Sequence, residues 1–170
     1  KVSCHYFIDE DGRVTQMVAE AQRAWHGGAG SWKGAVDINA RSIGIEIVNP
    51  GYTDTPTGRL WYPYSDAQVK ALIVLLKDIS KRNGIDPKNI IGHSDIAPLR
   101  KLDPGPLFPW KRLADEGLGM WPDAQAVARF KLQYAAGLPS ITWFQEELAR
   151  LGYQTPQTGE LDVATRHVLA

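Results

Sequence analysis

Ser42-Ile43-Gly44-Ile45-Glu46-Ile47-Val48 is a run of β-branched residues that Asn49-Pro50-Gly51 brings to a stop. Its nearly continuous apolar character reads as a strand buried on both faces, the kind found in sheets covered by helices. Downstream, Ser65 and Gln68 have the spacing of a capping box, followed by Val69, Leu72, Ile73, Leu76 and Ile79 at helical intervals and by Gly84 as a stop. Upstream, His5 to Ile8 and Arg13 to Val18 flank Asp9-Glu10-Asp11-Gly12, a hairpin signal. These pieces define an α/β class: a mixed central sheet flanked by helices.

Residues 20–39 carry four glycines along with Trp25, His26 and Trp32 and read as a long surface loop. Ile90-Ile91-Gly92-His93 reads as a short strand ending on a histidine, and residues 95–109, with four prolines, as an irregular loop that is neither helix nor sheet. A short helix over about 110–116 leads to Gly117-Leu118-Gly119, which we take as a boundary. Beyond it, residues 123–134, 140–151 and 161–170 each suit a helix. The organisation expected is therefore an α/β unit over 1–118 and a small all-α, three-helix module over 119–170. The pattern opens inside a strand, running on from Lys1, and closes inside a helix, so the chain reads as lacking sequence at both ends.

Composition narrows the function. The chain has 170 residues, with 19 Lys+Arg against 19 Asp+Glu, and this neutral balance argues against nucleic-acid binding, which needs clustered cations. The longest strongly apolar run, residues 71–76, is far short of the roughly 18 residues of a membrane span. The single cysteine, Cys4, precludes an internal disulfide, and no basic neighbour in sequence marks it as a nucleophile.

Candidate chemistry gathers on a few residues. His93 at a strand end and Asp103 in a proline-rich loop offer one nitrogen and one oxygen ligand for a divalent metal, although Asp103 could equally cap the Pro104-Gly105 turn beside a structural His93. Glu46 is a general base if it is buried near a cation, or an exposed edge-strand carboxylate if it is not. A triad of His93, Ser94 and Asp95 is rejected because neighbours on an extended chain face opposite ways. His5 is expected in the core or behind the site.

Taken in order, Val2-Ser3-Cys4-His5-Tyr6, Ala24-Trp25-His26-Gly27-Gly28, residues 42–46, Ile91-Gly92-His93-Ser94-Asp95-Ile96-Ala97-Pro98 and Arg100-Lys101-Leu102-Asp103-Pro104-Gly105 with Phe108-Pro109-Trp110 resemble the zinc-dependent N-acetylmuramoyl-L-alanine amidases of the AmpD/AmiD type. The resemblance covers about residues 1–116. It implies Zn2+ as cofactor, His93 and Asp103 as ligands, Glu46 as catalytic acid/base and Lys101 as the cation facing the oxyanion. The third ligand of that family is a histidine on a strand preceding the segment that matches Val2 to Tyr6, so it is expected upstream of Lys1. We place His26, Trp32, Asn39 and Arg100 around the substrate.

Phe144-Gln145-Glu146-Glu147-Leu148, Leu151-Gly152-Tyr153, Thr158-Gly159-Glu160-Leu161-Asp162 and Thr165 resemble a three-helix peptidoglycan-binding module. Together these resemblances imply a bacterial cell-wall enzyme, periplasmic or cytoplasmic, that cleaves the bond between N-acetylmuramic acid and L-alanine, with the helices tethering it to the polymer. The rival is a peptidoglycan receptor of the same fold that binds without cleaving. A metalloprotease is disfavoured because no His-Glu-x-x-His segment exists.

Overall fold

A computed structural model describes residues 2–170. Its main sheet has the order β2-β1-β3. The first two strands, β1 (Tyr6–Ile8) and β2 (Val14–Gln16), form the antiparallel hairpin around the Asp9 to Gly12 turn. The third, β3 (Ile45–Ile47), runs parallel to β1, with Glu46 opposite Phe7. The class is mixed α/β, as the sequence indicates.

The helix announced by the capping box is α1 (Asp66–Asn83), with Ser65 and Gln68 bonded reciprocally and Gly84 in the left-handed region at its end. Its apolar stripe of Val69, Leu72, Ile73 and Leu76 packs on Ile8, Ile45 and Ile47. Short helices follow at α2 (His93–Ile96) and α3 (Trp110–Asp115), and Leu113 of α3 closes the main core. The C-terminal residues form α4 (Ala124–Gln133), α5 (Ile141–Leu151) and α6 (Val163–Leu169), close to the expected spans.

Several expectations are corrected. Strand pairing starts at Tyr6 and not before, because Ser3 and His5 donate their amides to Trp25 O and Gly44 O. Residues 20–39 are less superficial than expected: Ala24, Ile38 and Asn39 are buried. Tyr52–Thr55 and Gly58–Trp61 form a second hairpin, β4 and β5, which alternation did not reveal because neither YTDT nor GRLW alternates apolar with polar residues.

β3 is not buried on both faces; Ile45 and Ile47 face the core while Glu46 is exposed on the opposite side. Ile90 and Ile91 form no strand, and His93 opens α2, which also takes the start of the expected 95–109 loop. The reason is spatial: a cavity of about 680 Å³ has Ile45 and Ile47 of β3 in one wall and Ile90 and Ile91 in the other. Among the described residues, no strand lies on the outer edge of β3.

Candidate active site

The exposed Glu46 is aimed by its strand. Side chains on β3 alternate, so burying Ile45 and Ile47 against α1 sends Glu46 out of the other face. There it borders a groove of about 530 Å³ shared with His26, His93, Arg100, Lys101 and Asp103. Residues distant in sequence are thereby brought to one place. Of the expected site residues, only Trp32 lies outside this groove.

His93 is held in a defined orientation. Its Nε2 lies 3.0 Å from Gly27 O, a carbonyl that can only accept, so Nε2 carries a proton. Its Nδ1 then points at Asp103 Oδ2, 2.9 Å away. An unprotonated Nδ1 and a carboxylate oxygen this close repel unless a cation lies between them, either a proton on the ring or a metal ion. An imidazole fixed by a carbonyl and converging with a carboxylate is the donor chemistry of a zinc site, and the two residues fit two of its corners. Among the described residues, no group of three His, Cys, Asp or Glu is placed to hold a metal.

Asp103 is drawn in opposite directions: burial alone would raise its carboxyl, but the His93 bond and charge, with Lys101 beside it, bring it below its ordinary value. Lys101 Nζ stands 4.0 Å from Asp103 Oδ1 at the groove wall. Tyr64 donates its hydroxyl to Pro104 O at 2.9 Å, and burial, then the charges of Asp103 and Glu46, push its phenol up to about 12. It is a permanent donor bracing the Asp103 turn.

Residues expected around the substrate do structural work here. Asn39 Oδ1 accepts the amides of His26 and Gly27, and Arg100 donates to the carbonyls of Gly27 and Ala29. Both shape the loop that orients His93. His26 is half-buried, and that burial, followed by the proximity of His5, lowers its pKa. Its Nε2 has no hydrogen-bond partner, and neither has Ser80 Oγ. Both residues line the cavity beside β3.

Trp32 lines that cavity too, with its ring packed edge-on against Tyr153. His5 is buried and satisfied, as expected, and Cys4 is a buried thiol raised by burial and by Glu46. Reading the sequence missed Trp25, Asn49, Tyr52, Trp61 and Tyr64 in the groove. The Asn49-Pro50-Gly51 turn leading into a Tyr-rich, Thr-rich hairpin was the available signal.

Comparison with known proteins bears on this geometry. The N-acetylmuramoyl-L-alanine amidase family profile matches residues 1–106. The AmiD amidase of Escherichia coli is 44% identical over 161 residues, covering 90% of this chain and 58% of AmiD. An AmpD amidase of Enterobacter cloacae, described as acting on 1,6-anhydro-N-acetylmuramyl-L-alanine, is 42% identical over 65% of this chain and 54% of its own length. Among solved structures, AmiD from E. coli in complex with anhydro-N-acetylmuramic acid-L-Ala-D-gamma-Glu-L-Lys superimposes with a TM-score of 0.86 at 41% identity, over 99% of this chain and 68% of that one. AmpDh3 of Pseudomonas aeruginosa with anhydromuramic pentapeptide also gives 0.86, at 34% identity, over 99% and 80%.

The fold and the matched residues place the chain in the α/β class of the AmiD and AmpD proteins. The chain belongs to the N-acetylmuramoyl-L-alanine amidase family, Amidase_2. It spans a little over half the length of these curated relatives.

Proposed function

We propose that this chain carries the catalytic machinery of an amidase cleaving the bond between N-acetylmuramic acid and L-alanine in peptidoglycan or muropeptides. The observation that carries the reading is the convergence of His93, Asp103, Glu46 and Lys101 on one groove in a chain of this family. His93 and Asp103 would hold zinc. When bound, that ion supplies Lewis acidity, polarising a carbonyl and lowering the pKa of water to about 7.

Glu46, exposed to the groove, takes a proton from the attacking water and returns it to the leaving amine. Lys101 stabilises negative charge developing on the carbonyl oxygen. The third ligand is carried by a strand seated in the cavity along β3. A free strand edge, apolar walls and two unpartnered buried polar atoms suit an occupant with both apolar side chains and backbone polar groups.

The helices over 119–170 act as a wall-binding module, consistent with an AmiD match that covers 90% of the chain and an AmpD match that covers 65%. The site of action is the bacterial envelope, in the periplasm. A second reading, binding without cleavage, draws on the fact that only two metal donors converge among the described residues.

The decisive experiment follows amide cleavage of a soluble muropeptide by the wild type and by Glu46→Gln. The variant should stay folded and keep its metal content but lose about 10²–10⁴-fold in rate. Activity within threefold of the wild type removes Glu46 from the mechanism. Tight muropeptide binding without any turnover by the wild type favours the receptor.

A further inference from the structure

We propose that Tyr153, in the C-terminal helical unit, is a positioning residue for His93 and acts through Asp95. The Tyr153 hydroxyl donates to Asp95 Oδ1 at 2.5 Å, while Asp95 Oδ2 accepts the Gly92 amide at 2.6 Å. Gly92 is where the chain enters α2, whose first residue is His93. One carboxylate thus ties the C-terminal unit to the peptide that carries the candidate ligand. Hydrogen bonds to an ionised acceptor are about twice as strong as neutral ones.

The tie leads to both candidate ligands. A Cβ on Gly92 would meet Pro104 at 2.6 Å, and Ser94 donates its amide to Asp103 O at 2.9 Å, so α2 and the Asp103 turn move together. The far end of α2 is fastened by the same neighbourhood: Ile96 O accepts the amide of Ser31, whose hydroxyl donates to Gln154 Oε1 at 2.6 Å.

Tyr153 is itself held firmly. Its ring packs edge-on against Trp32, 5.2 Å between centroids, and Lys33 donates its amide to Gly152 O at 2.8 Å. A Cβ on Gly152 would lie 2.8 Å from Lys33 Cγ and 3.1 Å from the Trp32 ring, so close docking requires glycine there. Burial and the adjacent Asp95 push the phenol well above its ordinary range, which keeps it a donor at any working pH. The helical unit therefore does more than tether. This inference rests on the reading of His93 as a site residue.

The test is Tyr153→Phe in the whole chain, which keeps the ring on Trp32 and removes only the hydroxyl, with Gly152→Ala as a second variant that disturbs docking. Backbone amide exchange is measured residue by residue, and Zn2+ affinity by competition with a chelator. In Tyr153→Phe the Gly92 amide should exchange about tenfold faster, with α1 and α5 unchanged. Zinc should bind about three- to tenfold more weakly. Gly152→Ala should change both in the same direction and further.

If no variant of the chain binds zinc yet Gly92 still loses protection in Tyr153→Phe, the metal reading fails and the Tyr153 tie stands. Unchanged exchange at Gly92 in both variants overturns the proposal, and so does a loss of protection in Tyr153→Phe that is confined to α5 and α6.

Discussion

Gly44 shows how far a single hydrogen atom can matter. A Cβ there would sit 2.2 Å from the His26 ring, although the residue needs no left-handed backbone. Its amide donates to His5 Nδ1 at 3.0 Å, which fixes the His5 tautomer so that Nε2–H meets Gln22 O. Gly44 thus spaces the buried His5 and the half-buried His26 immediately before β3. Gly44→Ala should cost about 1–3 kcal/mol through overpacking and reduce cleavage by displacing Glu46 two residues on. Urea unfolding measures the first effect, and an unchanged midpoint would mean that His26 swings clear at no cost. At the proposed metal site, Asp103→Ala should lose bound zinc along with activity, since the remaining donors would hold it poorly. Full metal occupancy in that variant, by elemental analysis, would place the ligand elsewhere.

Among the elements, α1 is fastened at both ends by polar bonds the helix itself does not need. At its start, Gln68 accepts the Ser65 amide and also donates to Val48 O at 2.7 Å, while the Ser65 hydroxyl donates to Glu10 O. Ser65→Ala should cost about 1 kcal/mol as a lost cap, whereas Gln68→Ala should cost about 2–3 because a carbonyl next to β3 also loses its donor. Thermal unfolding of the two variants should rank them in that order. At its end, Arg82 and Asn83 bind Glu20, which also accepts the Tyr6 hydroxyl at 2.6 Å.

The Arg82 guanidinium holds the Glu20 carboxyl down at about 2 against the opposing effect of burial. A carboxylate depressed in the folded state contributes stability above its unfolded pKa of about 4.3, and that contribution is lost as pH falls from there toward 2. The wild type should therefore lose more stability between pH 5 and pH 2 than Glu20→Gln does. Parallel acid titrations of the two proteins would refute this.

Over the whole molecule, the α/β part and the C-terminal helices are stabilised differently. The α/β part has an apolar core around Ile8, Leu72 and Leu113, whereas the helical part centres on Gln145, which is fully buried. Gln145 Nε2 lies within reach of Thr158 Oγ1, Glu160 O and Thr165 Oγ1, and its Oε1 accepts the Gly159 amide. Gln145→Leu, similar in volume, removes four hydrogen bonds at once, one of them to the buried Thr165, and should destabilise these helices by about 3 kcal/mol. Exchange should then rise across residues 140–170 while α1 keeps its protection. Uniform loss along the chain would show that the units unfold as one.

Several features were legible in the sequence because they depend on neighbours within a few positions: the α1 capping box, the Asp9 to Gly12 hairpin, the spans of α4 to α6 and the motifs around Glu46, His93 and Asp103. A helix stripe or a capping box is encoded at intervals of three and four residues. What tertiary structure decided was everything requiring a partner far along the chain. Ile90 and Ile91 have strand composition, yet a strand exists only where another lies beside it, and here a cavity separates them from β3. Glu46 reads equally as buried or exposed in sequence; α1 settled the matter by claiming the opposite face of β3. The hydrogen bond from Tyr153 to Asp95 spans 58 residues and has no local signature, because it exists only once the C-terminal helices pack against the α/β part.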